Sequence, residues 1–268
     1  MKKILSLIMA SVMMMACLCA CGSDTASSTA SAAGDTANDG KLVIATSPDF
    51  PPFEELQSDG SIVGIEVDIM NIVAERLGKE LSIEQMNFDS VVPGIQAGKF
   101  DVGVSGISVT EERQKNVLFT DPYCLAAQAI VVPEGSAIAS KADLDGKTVS
   151  VQTGTTAEQF CQSAGYTVNS YEANSDAEMA AVNAKVDAWV IDDLTAASMV
   201  ADYNASHSDQ LVILDEAMTT EPYAFCLTFG NEDLCDQISE IVNGLVEDGT
   251  VASIFEKYDA PYTSPLEN

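Results

Sequence analysis

The chain reads as an α/β protein with mostly parallel sheets, and three observations lead there. Apolar strand-like runs alternate with helical patterns from Lys41 onward. Glycines stop several of the helical patterns, at Gly78, Gly98 and Gly165. The span from Lys41 is about 228 residues, which is large for one open sheet and favours two lobes.

Each element has its own signal. A buried strand is expected over 42–45, where Leu, Val, Ile and Ala run together. Ile69, Ile72, Val73 and Leu77 recur at helical spacing, with Glu66 and Asp68 at the start. Residues 81–86 alternate like a strand, 90–97 form a short helix, and 100–104 return to strand. A second series follows, with strands over 129–132 and 147–152 and a helix over 156–164. A helix over 176–184, a strand over 187–191, a helix over 194–202 and a strand over 211–214 come next. After 223–229, helices over 232–246 and 250–258 close the chain. No internal repeat is visible.

The N-terminus is not expected to join this fold. Lys2 and Lys3 precede an apolar stretch over 4–18, too short to span a membrane, so 1–20 reads as a secretory signal. It ends in Leu18-Cys19-Ala20-Cys21-Gly22, which is similar to a bacterial lipoprotein processing site with Cys21 as the lipidated residue; Cys17 is a second candidate. Residues 21–40 are Ser, Thr, Ala, Gly and Asp without large apolar side chains, and read as a tether reaching roughly 25 Å.

Charge narrows the function. The chain carries 41 acidic against 12 basic residues; without Lys2 and Lys3 the balance is 41 to 10, a net of −31. Such a surface repels nucleic acid and anionic headgroups, so no nucleic-acid partner is expected. The membrane contact expected is the lipid anchor alone. Three of the seven cysteines lie in the leader region. Cys124, Cys161, Cys226 and Cys235 are scattered without metal-ligand spacing and read as buried free thiols, although export permits disulfides. A single histidine, His207, builds neither a zinc site nor a catalytic triad, so no metal or cofactor is expected.

Only two arginines are present, Arg76 and Arg113. Arg113 closes the run Ser105-Gly-Ile-Ser-Val-Thr-Glu-Glu-Arg113 after a strand-like segment. Its planar fork suits a carboxylate, and the small residues ahead of it leave the backbone open. The plainer alternative is a surface arginine paired with Glu111 or Glu112.

Several motifs in order carry a resemblance. They are Gly64-Ile-Glu-Val-Asp-Ile-Met-Asn-Ile-Val-Ala74, Phe88-Asp-Ser-Val-Val-Pro-Gly-Ile-Gln-Ala-Gly-Lys-Phe-Asp101, Gly106 to Arg113, and Phe119-Thr-Asp-Pro-Tyr123. Gln152-Thr-Gly-Thr-Thr156, Ala188-Trp-Val-Ile-Asp192 and Glu247-Asp-Gly-Thr250 follow. Together they resemble the solute-binding proteins of polar amino-acid ABC importers, solute-binding family 3, over the whole chain from Lys41.

The resemblance implies a two-lobed, type II periplasmic-binding-protein-like fold with a ligand cleft between the lobes and two hinge strands. Lobe one would be 41–122 plus 224–268, lobe two 123–223, with crossings near 123–127 and 219–223. It implies a free α-amino acid as ligand, ABC permease subunits as partners, an extracytoplasmic location and a monomer. Arg113 and Ser108, with the helix start at Thr156, would hold the ligand carboxylate. Thr155 and Glu158 stand in capping-box register there. Asp192 and the carbonyl of Gly106 would take the ammonium; the alternative for Asp192 is a helix N-cap, a role Asp193 can also fill. Phe50 and Phe88 would sandwich the side chain, while Phe53 and Trp189 read as core. Many relatives carry aspartate where this chain has Ser47, which favours a neutral side chain here.

Three classes compete: a lipid-anchored binding protein, an exported enzyme on the same fold (a dehydratase or cell-wall lyase), and a sensor module. Glu54 and Glu55 are the acid candidates an enzyme would need. No signalling domain or second apolar span supports a sensor.

Overall fold

The computed structural model describes residues 40–266. The expected leader, Cys21 and the tether up to residue 39 lie outside the described residues.

Two five-stranded sheets organise the fold. The first runs, edge to edge, Glu80–Gln85, Lys41–Thr46, Val102–Gly103, Cys226–Leu227, Leu118–Phe119. The second runs Thr167–Tyr171, Thr148–Gln152, Ala188–Asp192, Gln128–Pro133, Leu211–Ile213. Between them, Cys124–Ala126 and Glu221–Tyr223 pair antiparallel, with Glu221 opposite Ala126 and Tyr223 opposite Cys124. The architecture is two-lobed α/β, with this pair of strands crossing between lobes.

The sheets are less parallel than the alternating pattern suggests. Three strands in each are parallel, joined through helices. The other two are antiparallel to their neighbours. Cys226–Leu227 and Gln128–Pro133 arrive directly from the crossing strands. A strand delivered that way needs no helical crossover and can enter in the opposite direction.

Local chemistry explains most elements. The helix Ile65–Arg76 buries Ile65, Ile69, Met70 and Val73 on one face and places Glu66 and Asp68 in its first turn. Phe88–Gln96 tolerates Pro93 inside it. The strand expected over 100–104 shortens to Val102–Gly103, because Asp101 turns its carboxylate onto the Val43 N–H at 2.8 Å. Thr167–Tyr171, which has few apolar residues, becomes an edge strand beside Thr148–Gln152. The amphipathic helices Glu232–Glu247 and Thr250–Lys257 pack against Ile65–Arg76, returning the C-terminus to the first sheet.

Aromatic rings fill the space beneath the crossing. Phe53 packs edge-on to Tyr223 and Phe255, and Tyr123 stacks on Phe225 at 5.1 Å. Phe53 and Trp189 are fully buried core residues, as expected. Cys124, Cys161, Cys226 and Cys235 are buried free thiols. Burial pushes Cys161 and Cys226 up to about 12, which leaves them inert. His207 sits exposed, stacked on Tyr203 at 4.1 Å. Among the described residues no acidic, histidine and cysteine grouping could hold a metal, and no helix is long and apolar enough to cross a membrane.

Candidate functional site

The candidate residues converge where the two sheets face each other across the crossing strands. Most stand just beyond carboxyl ends of parallel strands, where α/β sheets place ligand sites.

Arg113 lies in the one-turn helix Glu111–Gln114, whose N-cap Thr110 accepts from the Arg113 N–H at 3.1 Å. The turn points the side chain inward, and only 7% of Arg113 is exposed. Its guanidinium donates to the Ser108 carbonyl at 2.9 Å and, from the other lobe, to the Gly154 carbonyl at 3.2 Å. It also lies over the Phe88 ring, 5.5 Å from the centroid. Neither ion pair found among the described residues involves it, so it is not a surface partner of Glu111 or Glu112. Burial lowers its pKa, opposed by nearby Cys226, Glu221 and Asp192. A buried cation without a directly bonded carboxylate is a costly arrangement that an incoming anion would relieve.

Asp192 ends the strand Ala188–Asp192 and is also 7% exposed. Its backbone is at the N-cap of Asp193–Ser206, yet its side chain makes no cap bond. Asp193 instead bonds the Leu194 N–H at 2.9 Å and the Ala127 N–H at 3.3 Å. The Asp192 carboxylate is therefore free of capping duty and accepts from Gln128 Nε2 at 2.8 Å. Burial, then the nearby Glu221, raises its pKa to about 8.

Gly106 has φ 53°, and an added Cβ would come within 2.5 Å of Phe50. Glycine is required here on both counts. Its N–H donates to Glu66 at 2.9 Å; Glu66 also accepts from the Tyr123 hydroxyl at 2.6 Å. Phe50 is buried against Phe53, with centroids 5.6 Å apart, so it belongs partly to the core.

Thr156 opens the helix Thr156–Ser163, and Thr155 caps it through the Glu158 N–H at 3.1 Å. The expected capping box is half formed. Glu158 reaches back past Thr155 to the Gly154 N–H at 2.7 Å. Gly154 has φ 81°, and a Cβ there would lie 3.0 Å from Asp89 on the other lobe.

Ser47 is buried, and its hydroxyl donates to Asp49 at 2.8 Å. Asp49 bridges the lobes, accepting from Gln152 Nε2 at 3.1 Å and from the Asn174 N–H at 2.8 Å. A cavity of about 400 Å³ beside it is lined by Ser47, Asp49, Met86, Asn87 and Glu172. Another, of about 260 Å³, lies against Phe88, Arg113 and Gly154.

Sequence reasoning missed Glu221, Gln128 and Asp49. Glu221 accepts from Ser108 Oγ at 2.5 Å and Thr156 Oγ1 at 2.7 Å. Gln128 Nε2 bonds Asp192 and, at 3.3 Å, Thr156. Polar side chains in or next to the crossing segments were the available signal for Glu221 and Gln128, whereas Asp49 follows the first strand. Of the two acid candidates for an enzyme, Glu54 is fully buried against Ser105 at 2.9 Å, and Glu55 is solvent-exposed.

A two-lobed α/β fold with a buried arginine and a buried aspartate at the junction defines a ligand-capturing protein. The comparisons agree. Residues 42–260 match the bacterial extracellular solute-binding proteins, family 3, and the chain belongs to that family. It is 27% identical over 223 residues to the L-cystine-binding protein TcyJ of Escherichia coli K12, covering 82% of each chain. It is 30% identical to the arginine-binding extracellular protein ArtP of Bacillus subtilis, covering 81% of this chain and 86% of that one. Among solved structures, an ancestral arginine-binding protein bound to arginine superposes with TM-score 0.76 at 36% identity, covering 82% of this chain and 98% of that one.

Proposed function

We propose that this chain is an extracytoplasmic lipoprotein that captures a free α-amino acid and delivers it to the membrane subunits of an ABC importer. The observation that carries the reading is the pair Arg113 and Asp192. A buried cation and a buried carboxyl group, neither bonded to the other, match the carboxylate and ammonium that every α-amino acid carries on one carbon. Gly106, Ser108 and Thr156 complete the backbone-and-hydroxyl cradle, and Phe50 and Phe88 meet the variable group. The proposed division is 41–122 with 224–268 against 123–223, supported by the sheet memberships and the crossing pair. The proposed anchor is Cys21, and the proposed state is a monomer. The enzyme reading is disfavoured because Glu54 is sealed from the cleft and Glu55 faces solvent.

For the ligand side chain, Ser47 in place of aspartate supports a neutral group. A second reading, a cationic side chain, is favoured by Asp49, which brings a carboxylate next to Ser47. The arginine named for several relatives supports it too. A thermal-shift screen of the twenty common amino acids plus cystine tests both, since a ligand bound only by the folded state raises its stability. Strongest response to glutamine or cystine supports the neutral reading, and to arginine or lysine the cationic one. No response to any of them sinks the amino-acid reading.

A further inference from the structure

Three hydroxyls donate to the Glu221 carboxylate. Ser108 Oγ and Thr156 Oγ1 share Oε2 at 2.5 and 2.7 Å, and Thr219 Oγ1 donates to Oε1 at 2.9 Å. Ser108 and Thr156 stand on opposite walls of the cleft, 3.5 Å apart between hydroxyl oxygens. The two bonds to Oε2 fall in the charge-assisted range. Glu221 is itself buried, at 9% exposure.

A hydroxyl has one proton to give and two lone pairs to offer. With the proton committed to Glu221, each oxygen can present only lone pairs to the cleft. Thr156 already uses one that way, accepting from Gln128 Nε2 at 3.3 Å. An ammonium needs acceptors and a carboxylate needs donors, so the direction of these bonds decides which end of a ligand the hydroxyls can meet. We propose that Glu221 is a positioning residue that turns the Ser108 and Thr156 hydroxyls into acceptors and thereby makes the cleft select an α-ammonium, with three protons to give, over an α-hydroxyl with one or an α-keto group with none. This rests on the amino-acid reading above and reverses one detail of the sequence expectation. The Ser108 hydroxyl serves the ammonium, and the ligand carboxylate is left to Arg113 and the helix start at Thr156. Glu221 also supplies a second negative charge beside Asp192, which a neutral α-hydroxyl cannot use.

The test compares the tightest-binding amino acid of the screen with the 2-hydroxy acid bearing the same side chain, by calorimetry. The parent should prefer the amino acid by about a hundredfold or more. In Glu221→Gln the amide donates to the hydroxyls and turns their protons outward. That preference should shrink at least tenfold, with the 2-hydroxy acid bound as well as or better than before. A residue that merely braced the fold would weaken both ligands together. Should Glu221→Gln not fold, Thr156→Val removes one acceptor and should also shrink the preference, while Thr156→Ser should keep it. A preference within about twofold of the parent in Glu221→Gln, or in Thr156→Val if only that variant folds, overturns the inference. A parent that binds no amino acid removes the functional reading instead.

Discussion

Arg113 donates to the carbonyl of Gly154 across the cleft at 3.2 Å, so the strongest cation of one lobe grips the backbone of the other. The same guanidinium also holds the Ser108 carbonyl on its own lobe. Only a closed arrangement satisfies both bonds, so under the proposed reading Arg113 would tie ligand capture to lobe closure.

Arg113→Ala and Asp192→Ala should each weaken binding of every amino acid, whatever its side chain. Each leaves one buried ligand charge without a counterpart, which costs several kcal/mol. Arg113→Lys should recover only part, since an ammonium cannot reproduce the fork. Phe88→Ala should instead reorder preference among ligands. Calorimetry with three amino acids of different side chains checks this. Binding by Arg113→Ala within about twofold of the parent, or ~0.4 kcal/mol, would show that the carboxylate sits elsewhere.

Asp49 should act as a closure latch. Its carboxylate holds Gln152 and the Asn174 N–H from the facing lobe. Asp49→Ala orphans the Asn174 N–H and leaves Gln152 Nε2 only its bond to the Glu172 carbonyl at 3.1 Å, at about 1–3 kcal/mol for the closed state. Small-angle scattering should give the ligand-free variant a larger radius of gyration than the parent. Affinity should fall with it, because binding must then drive closure unaided. Equal radii in parent and variant count against the latch.

Binding should release a proton near neutral pH. In the ligand-free cleft, burial and Glu221 raise the Asp192 pKa to about 8, so at pH 7 the group is mostly protonated. An ammonium requires the ionised form and expels that proton, so affinity should rise with pH from 6 toward 8, by at most about tenfold per unit. The ligand-free fold has the opposite trend. Asp192 keeps a proton that the unfolded chain loses near the ordinary aspartate pKa of 3.8, so its contribution to stability declines as pH rises from about 4 to about 8. Calorimetry in buffers of differing ionisation enthalpy counts the protons. Asp192→Asn should abolish the release, and an unchanged proton count in that variant would assign it to another group.

Cys21→Ser should free the protein from membranes without changing its ligand affinity. Stable anchoring takes more than one acyl chain, and a lipoprotein cysteine is expected to carry more than one. A variant that still fractionates with membranes after a salt wash contradicts a lipid anchor at Cys21.

The sequence by itself determined the alternation of strands and helices, because burial on a sheet and on a helix leave different periods. It also singled out Arg113 as a candidate carboxylate holder in a chain with two arginines, and left open a surface arginine paired with Glu111 or Glu112. The motif order added the two-lobed plan and the expectation of a first lobe assembled from two distant segments. Helix bounds such as 65–76 and 232–247 fell within a residue or two of their hydrophobic patterns. Tertiary structure alone decided the rest. The antiparallel strands depend on where the chain re-enters each sheet, which no local pattern encodes. Thr167–Tyr171 is a strand because Thr148–Gln152 offers it a ladder, not because of its own composition. Glu221, Gln128 and Asp49 look like ordinary polar residues in sequence. They become cleft residues because the crossing strands and the loop after Lys41–Thr46 bring groups 64 to 125 positions apart within hydrogen-bonding distance. Hydrogen bonds act over about 3 Å of space and are indifferent to separation along the chain, so a polar network between two lobes is written only in the folded arrangement.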